Sequence, residues 1–163
     1  MTSMRESRGL IFLTVMAAAM LSMLPLPEVF APFKPYWVAM VLIYWSLETR
    51  GIISLGLAFL IGLVLDILSG SLIGLHALSL VVMVFLVQRF RFRLRFFPPW
   101  QQALSVLALL VNDRIILIWI IVLLGEPLPT WKYWLPPLVG MALWPWLFLG
   151  LDRIRARVRQ YKP

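Results

Sequence analysis

The sequence predicts an all-α, polytopic integral membrane protein, a single domain over residues 1–163 built as a bundle of six transmembrane helices. Three observations carry this. Apolar residues make up 62% of the chain and charged ones 13%, where a soluble domain has about half and about a quarter. The apolar residues fall into six runs separated by prolines and turn residues. The cationic residues gather on one side of that pattern. Cysteine is absent, so no disulfide framework or Cys-based metal site is available.

A helix rises 1.5 Å per residue, so about 20 apolar residues cross a hydrocarbon core of about 30 Å. The first run, 10–24, follows Arg5 and Arg8 and ends at Pro25 and Pro27. A basic start before a short apolar stretch also describes a cleaved signal peptide. Val29-Phe30-Ala31 has the small-residue spacing for it, but Pro32 would follow the cut and block the peptidase. The second run, 36–47, starts beyond Pro32 and Pro35. These two runs are short, roughly 22 and 18 Å as helix, so five crossings are the alternative count.

The third and fourth runs, 51–68 and 72–87, are joined by Ser69-Gly70-Ser71, a tight-turn sequence. Gly56, Gly62, Gly70 and Gly74 lie here, where small residues let helices approach closely. The fifth run, 100–124, follows Pro98 and Pro99. The sixth, 134–151, follows Pro127 and Pro129 and holds Pro145 in its interior, where a missing amide predicts a kink. A basic tail, 152–163, completes the chain.

Lys and Arg fix the orientation. Arg5, Arg8, Arg50, Arg89, Arg91, Arg93, Arg95, Arg153, Arg155, Arg157, Arg159 and Lys162 fall on one side; only Lys34 and Lys132 fall on the other. Cytoplasmic loops carry the positive excess, so both termini are expected in the cytoplasm. Tyr36, Trp37, Trp131 and Trp134 mark the outer interface, and Tyr44, Trp45 and Trp100 the inner one.

Residues 89–97 alternate basic and apolar, with Arg89, Arg91, Arg93 and Arg95 interleaved with Phe and Leu. Residues two apart lie 200° apart on a helix, so this period predicts an extended or interfacial segment. It serves as a topology anchor, as a contact for anionic lipid headgroups or as a protein docking site. The tail, with Arg153, Arg155, Arg157 and Arg159, divides the same way. Basic–aromatic interleaving also suits single-stranded nucleic acid, but a membrane hairpin excludes that partner.

No enzyme motif is present: there is one histidine and no HExxH, Walker A, GxSxG or CxxC. No catalytic, cofactor or metal site is therefore expected. Five polar residues do fall within the spans: Asp66, His76, Asn112, Asp113 and Arg114. Counted from Gly51 and Trp100, Asp66 and Arg114 lie about 22 and 21 Å from the inner edge, and the others at similar depth. They read as one intramembrane polar layer, either a substrate or ion site or a clasp that fixes helix register. The layer is small and no proton relay continues from it, which favours the clasp. Opposite charge at equal depth predicts an Asp66–Arg114 pair.

The chain resembles the rod shape-determining MreD family. The stretches that carry the resemblance are Gly62-Leu63-Val64-Leu65-Asp66-Ile67-Leu68-Ser69-Gly70-Ser71-Leu72-Ile73-Gly74, then Trp100-Gln101-Gln102-Ala103, then Leu143-Trp144-Pro145-Trp146-Leu147-Phe148 before a basic tail. Lys34-Pro35-Tyr36-Trp37-Val38 and Tyr44-Trp45 fit as well. The resemblance implies a multi-pass protein of the bacterial inner membrane and a non-catalytic scaffold of the cell-wall elongation machinery. Its implied partners are MreC, the RodA glycosyltransferase with its class B penicillin-binding protein, RodZ and MreB filaments. It also implies a fold like the substrate-binding subunit of energy-coupling-factor transporters, so a small-molecule-binding membrane subunit is the alternative. Arg114 departs from the family pattern, in which an apolar residue follows the acid at the Asp113 position.

Overall fold

A computed structural model describes residues 2–160, with side-chain surroundings from residue 8 onward. The side chain of Arg5, and Lys162, both counted above on the cationic side, lie outside the described residues. Six α-helices form: α1 Thr2–Met23, α2 Trp37–Glu48, α3 Leu55–Ser69, α4 Leu75–Phe96, α5 Pro99–Leu123 and α6 Leu135–Gln160. Short 3-10 turns at Ala31–Phe33 and Trp131–Trp134 precede α2 and α6. Three helical segments are long and apolar enough to cross a membrane: Leu75–Phe96, Pro99–Leu123 and Trp131–Gln160. Arg8–Met23 and Leu55–Ser69 are shorter apolar helices.

The shortest helix is the centre of the bundle. Every residue of α2 from Val38 to Leu47 is buried. Its sequence, Trp-Val-Ala-Met-Val-Leu-Ile-Tyr-Trp-Ser-Leu-Glu, is apolar on all sides, as a fully sheathed helix must be. It packs on α1, α4, α5 and α6. The sheath holds α3 against α4, α4 against α5 and α5 against α6. Trp45 of α2 donates its indole N–H to the Thr14 hydroxyl of α1 at 2.9 Å. The outward faces, with Phe12, Leu13, Phe59, Leu60, Trp119 and Trp146, are exposed, as surfaces in hydrocarbon are.

Two glycines set the helix spacing. At Gly62 an added Cβ would stand 2.2 Å from the Ala77 Cα, so α3 and α4 touch backbone to backbone. At Gly140 it would stand 2.6 Å from the Leu110 side chain, which closes α6 onto α5.

The structure moves several boundaries read from the sequence. α3 starts at Leu55 rather than at residue 51, because Gly51 takes a left-handed conformation (φ +76°) and Ser54 caps the helix, accepting the Leu57 N–H at 3.1 Å. α4 starts at Leu75 rather than 72, after left-handed Gly70 and Gly74. The expectation of an extended segment at 89–97 is overturned: α4 stays helical to Phe96. At period two the arginines form two rows of i,i+4 pairs, Arg89 with Arg93 and Arg91 with Arg95, and the two rows face opposite sides of the helix. Likewise α6 continues to Gln160, with Pro145 inside it, so most of the basic tail is helical.

Candidate functional site

Polar side chains collect at both ends of α2. At the arginine-poor end, Asp66 occupies the last turn of α3. Gly74, at the N-cap of α4, has no side chain with which to cap it. Asp66 does so from the neighbouring helix: Oδ2 accepts the Gly74 N–H at 2.8 Å and Oδ1 the His76 N–H at 2.9 Å. The Ser71 hydroxyl donates to Oδ1 at 2.9 Å, and His76 Nδ1 lies 2.8 Å from the same oxygen. The carboxylate thus satisfies orphan donors and places negative charge at a helix N-terminus. The His76 ring meets Tyr36, at the start of α2, edge to face (centroids 6.1 Å, 74°).

Asp113 is fully buried on α5 and accepts a short hydrogen bond from the Ser79 hydroxyl of α4. Its other oxygen, the Asn112 amide nitrogen and the hydroxyls of Tyr36 and Tyr133 are buried without a partner among the described residues. Arg114 forms no ion pair with either acid, and its guanidinium lies 4.8 Å from the centroid of the Tyr133 ring.

The expected Asp66–Arg114 pair therefore does not form. Asp66 lies only 11 residues beyond the true start of α3, so the count from Gly51 overstated its height. Its acceptor capacity is spent on the α3–α4 turn, which sequence depth alone does not reveal. Of the five polar residues, Asp66 and His76 meet directly; Asp113 takes Ser79; Arg114 contacts the Trp131–Trp134 turn before α6.

At the arginine-rich end Glu48, the last residue of α2, is the hub. It pairs with Arg155 of α6 and lies 3.9 Å from Arg95 of α4. Arg91 donates Nε–H to the Leu47 carbonyl at 2.7 Å, closing an orphan acceptor of the helix end. Partial burial alone would lower the Arg155 pKa; the bond to Glu48 outweighs it and holds the value above the ordinary arginine range. Arg50 stacks over Phe92 at 5.7 Å. Arg89, Arg93, Arg153, Arg157 and Arg159 remain exposed. One helix turn inward, Gln102 of α5 donates to the Leu94 carbonyl at 3.3 Å and accepts the Trp144 indole N–H at 3.1 Å.

Sequence reasoning missed Ser79, Gln102, Tyr133 and the role of Glu48. Glu48 carried a signal: an acid at the end of an apolar run, on the side that holds nearly all the arginines. Gln102 lies in the Trp100-Gln101-Gln102-Ala103 stretch but gave no geometric sign of its partners.

This arrangement is that of a helical membrane protein whose buried polar groups tie helices to one another. Among the described residues no three His, Asp or Glu side chains gather as a metal site requires. The comparisons agree with that class. The model of the rod shape-determining protein MreD family matches residues 4–154. The rod shape-determining protein MreD of Haemophilus influenzae is 32% identical over 142 residues, which covers 87% of this chain and 88% of that one. The chain belongs to the MreD family, and membership implies a role in determining rod shape. The family is one of shape-determining proteins, not of known enzymes. No solved structure gives a significant match.

Proposed function

We propose that this protein is a non-catalytic scaffold of the rod complex in the bacterial inner membrane, with both termini cytoplasmic, that binds MreC. Through MreC it supports the RodA glycosyltransferase and its class B penicillin-binding protein, with RodZ and MreB filaments on the cytoplasmic side. Family membership supports the setting. The observation that carries the mechanism is the sheathed α2, in which ten consecutive residues from Val38 to Leu47 are buried. The axis of the bundle is filled by side chains, so the molecule offers its partners a stiff body with apolar outer faces. A transporter subunit needs a chamber lined by several polar groups, and the filled axis weighs against that alternative. The polar layer acts as a clasp in this reading: Asp66 locks the α3–α4 turn and Asp113 ties α5 to α4.

The test is affinity purification from mild detergent with the cognate MreC co-expressed. Stoichiometric recovery of MreC that survives loss of the wall synthase supports the scaffold. Recovery of this chain without MreC, together with uptake or retention of a small molecule, would overturn it.

A further inference from the structure

We infer that a cleft at the arginine-poor end binds a phosphate-bearing anion. The cleft has a volume of about 420 Å³ and lies between the Ala31–Phe33 turn, α5, the Trp131–Trp134 turn and the start of α6. Lys34, Arg114 and Lys132 line it together with Thr130 and Tyr133, and no lining residue is acidic. Among the described residues no carboxylate comes within ion-pair distance of any of the three cations. These are also the only cations the sequence offers beyond its arginine-rich side. Three cations around one open cleft, with Arg114 half-buried, concentrate positive charge that an anion would neutralise.

The donors are arranged rather than merely present. The Tyr133 ring holds the Arg114 guanidinium by a cation–π contact at 4.8 Å, which restrains its position at the cleft. Lys34 donates one of its three hydrogens to the Leu24 carbonyl at 3.0 Å, which steadies the ammonium and leaves two donors. The Tyr133 hydroxyl is buried with no partner among the described residues. A planar fork beside two point charges matches a tetrahedral oxyanion, since guanidinium binds phosphate bidentately. Arg114 lies nine residues before the end of α5, about 13 Å along the axis, while Lys132 is at the exposed rim. The cleft therefore runs from the exposed rim at Lys132 inward to the half-buried Arg114. Opposite-end arginines are too far away to take part, so this site is separate from lipid contacts there.

The test uses the whole chain with Arg89, Arg93, Arg153, Arg157 and Arg159 changed to Gln, which reduces lipid contacts at the other end. This protein is reconstituted in phosphatidylcholine nanodiscs containing some phosphatidylglycerol, and retained lipid is counted by native mass spectrometry. Inorganic phosphate is titrated in detergent while the melting temperature is followed. Retained phosphatidylglycerol that phosphate does not displace identifies a lipid headgroup; a melting-temperature rise with phosphate alone identifies the free anion. Either result should weaken roughly tenfold, about 1.4 kcal/mol, for each of Lys34→Gln, Lys132→Gln and Arg114→Gln. The two lysine variants touch only the rim, so they report on binding even where Arg114→Gln lowers the folded yield. Phosphatidylglycerol retention and phosphate response that are absent, or equal with and without these three cations, would overturn the inference.

Discussion

Substituting Asp66 should break the α3–α4 turn, and the size of the effect follows from its four contacts. In Asp66→Ala the Gly74 and His76 amides and the Ser71 hydroxyl lose their acceptor within a partly buried turn. Leaving a buried donor unsatisfied costs about 1–3 kcal/mol. The two amides are partly exposed and water takes part of the lost acceptor's place, so together they destabilise by roughly 1–3 kcal/mol. Asp66→Asn keeps Oδ1 but turns an NH2 group toward the Gly74 N–H, so it loses one charge-assisted bond, about 1.5–3 kcal/mol. Arg114→Gln removes only the contact with Tyr133, about 0.5–2 kcal/mol. The assay is denaturation by SDS in mixed micelles, applied to the three single variants and to the Asp66→Asn/Arg114→Gln double variant. Because Asp66 and Arg114 do not touch, their effects should add to within about 0.5 kcal/mol. A coupling energy well above that, or an Asp66→Ala protein as stable as its parent, would refute the clasp drawn here.

Three further outcomes are expected. Gly62→Ala should sharply lower the yield of monodisperse protein in detergent, because its Cβ would meet Ala77 backbone at 2.2 Å and overpacking costs about 1–3 kcal/mol or more; Gly56→Ala, with only Ser54 Oγ at 3.9 Å, should be tolerated. Glu48→Gln should free Arg155, so trypsin should cut after Arg155 faster in the variant than in the parent while α1 and α2 stay intact. Alkaline phosphatase fused after Pro163 should be inactive and a cytoplasmic reporter active; the reverse would overturn the cytoplasmic placement of the C-terminus.

What the sequence revealed depended on what each signal measures. Apolar runs and prolines gave six helices because burial and the missing amide act locally, residue by residue. Their ends were less legible where a glycine turn or a neighbouring helix supplied the cap, as at Ser54 and Gly74. The Arg89–Arg95 alternation misled because a period of two is compatible with a helix whose opposite sides both meet polar surroundings, one row reaching Glu48 and Leu47 and the other facing outward. Depth counting identified the five polar residues but not their partners. Ser79 and Tyr133 are ordinary in sequence and become partners only once α4 and the Trp131–Trp134 turn are placed beside α5.

The polar cluster at the arginine-rich end has a physical origin in the length of α2. Twelve residues make a helix of roughly 18 Å, well short of a core about 30 Å thick. Because α2 is also central, its ends are only half-exposed, at Trp37 and at Glu48 and Thr49. Backbone groups without an intrahelical partner there gain from partners that the protein itself supplies. At the C-terminal end Arg91 takes the Leu47 carbonyl, and Arg155 balances the Glu48 charge that the helix dipole would otherwise disfavour. At the N-terminal end the chain enters through Pro35 and Tyr36, and the Tyr36 ring leans on His76, itself held by Asp66. The Glu48 hub is thus a consequence of placing a short helix on the axis, whereas Asp66 answers the unsatisfied amides at the start of α4 and Asp113 joins α5 to α4.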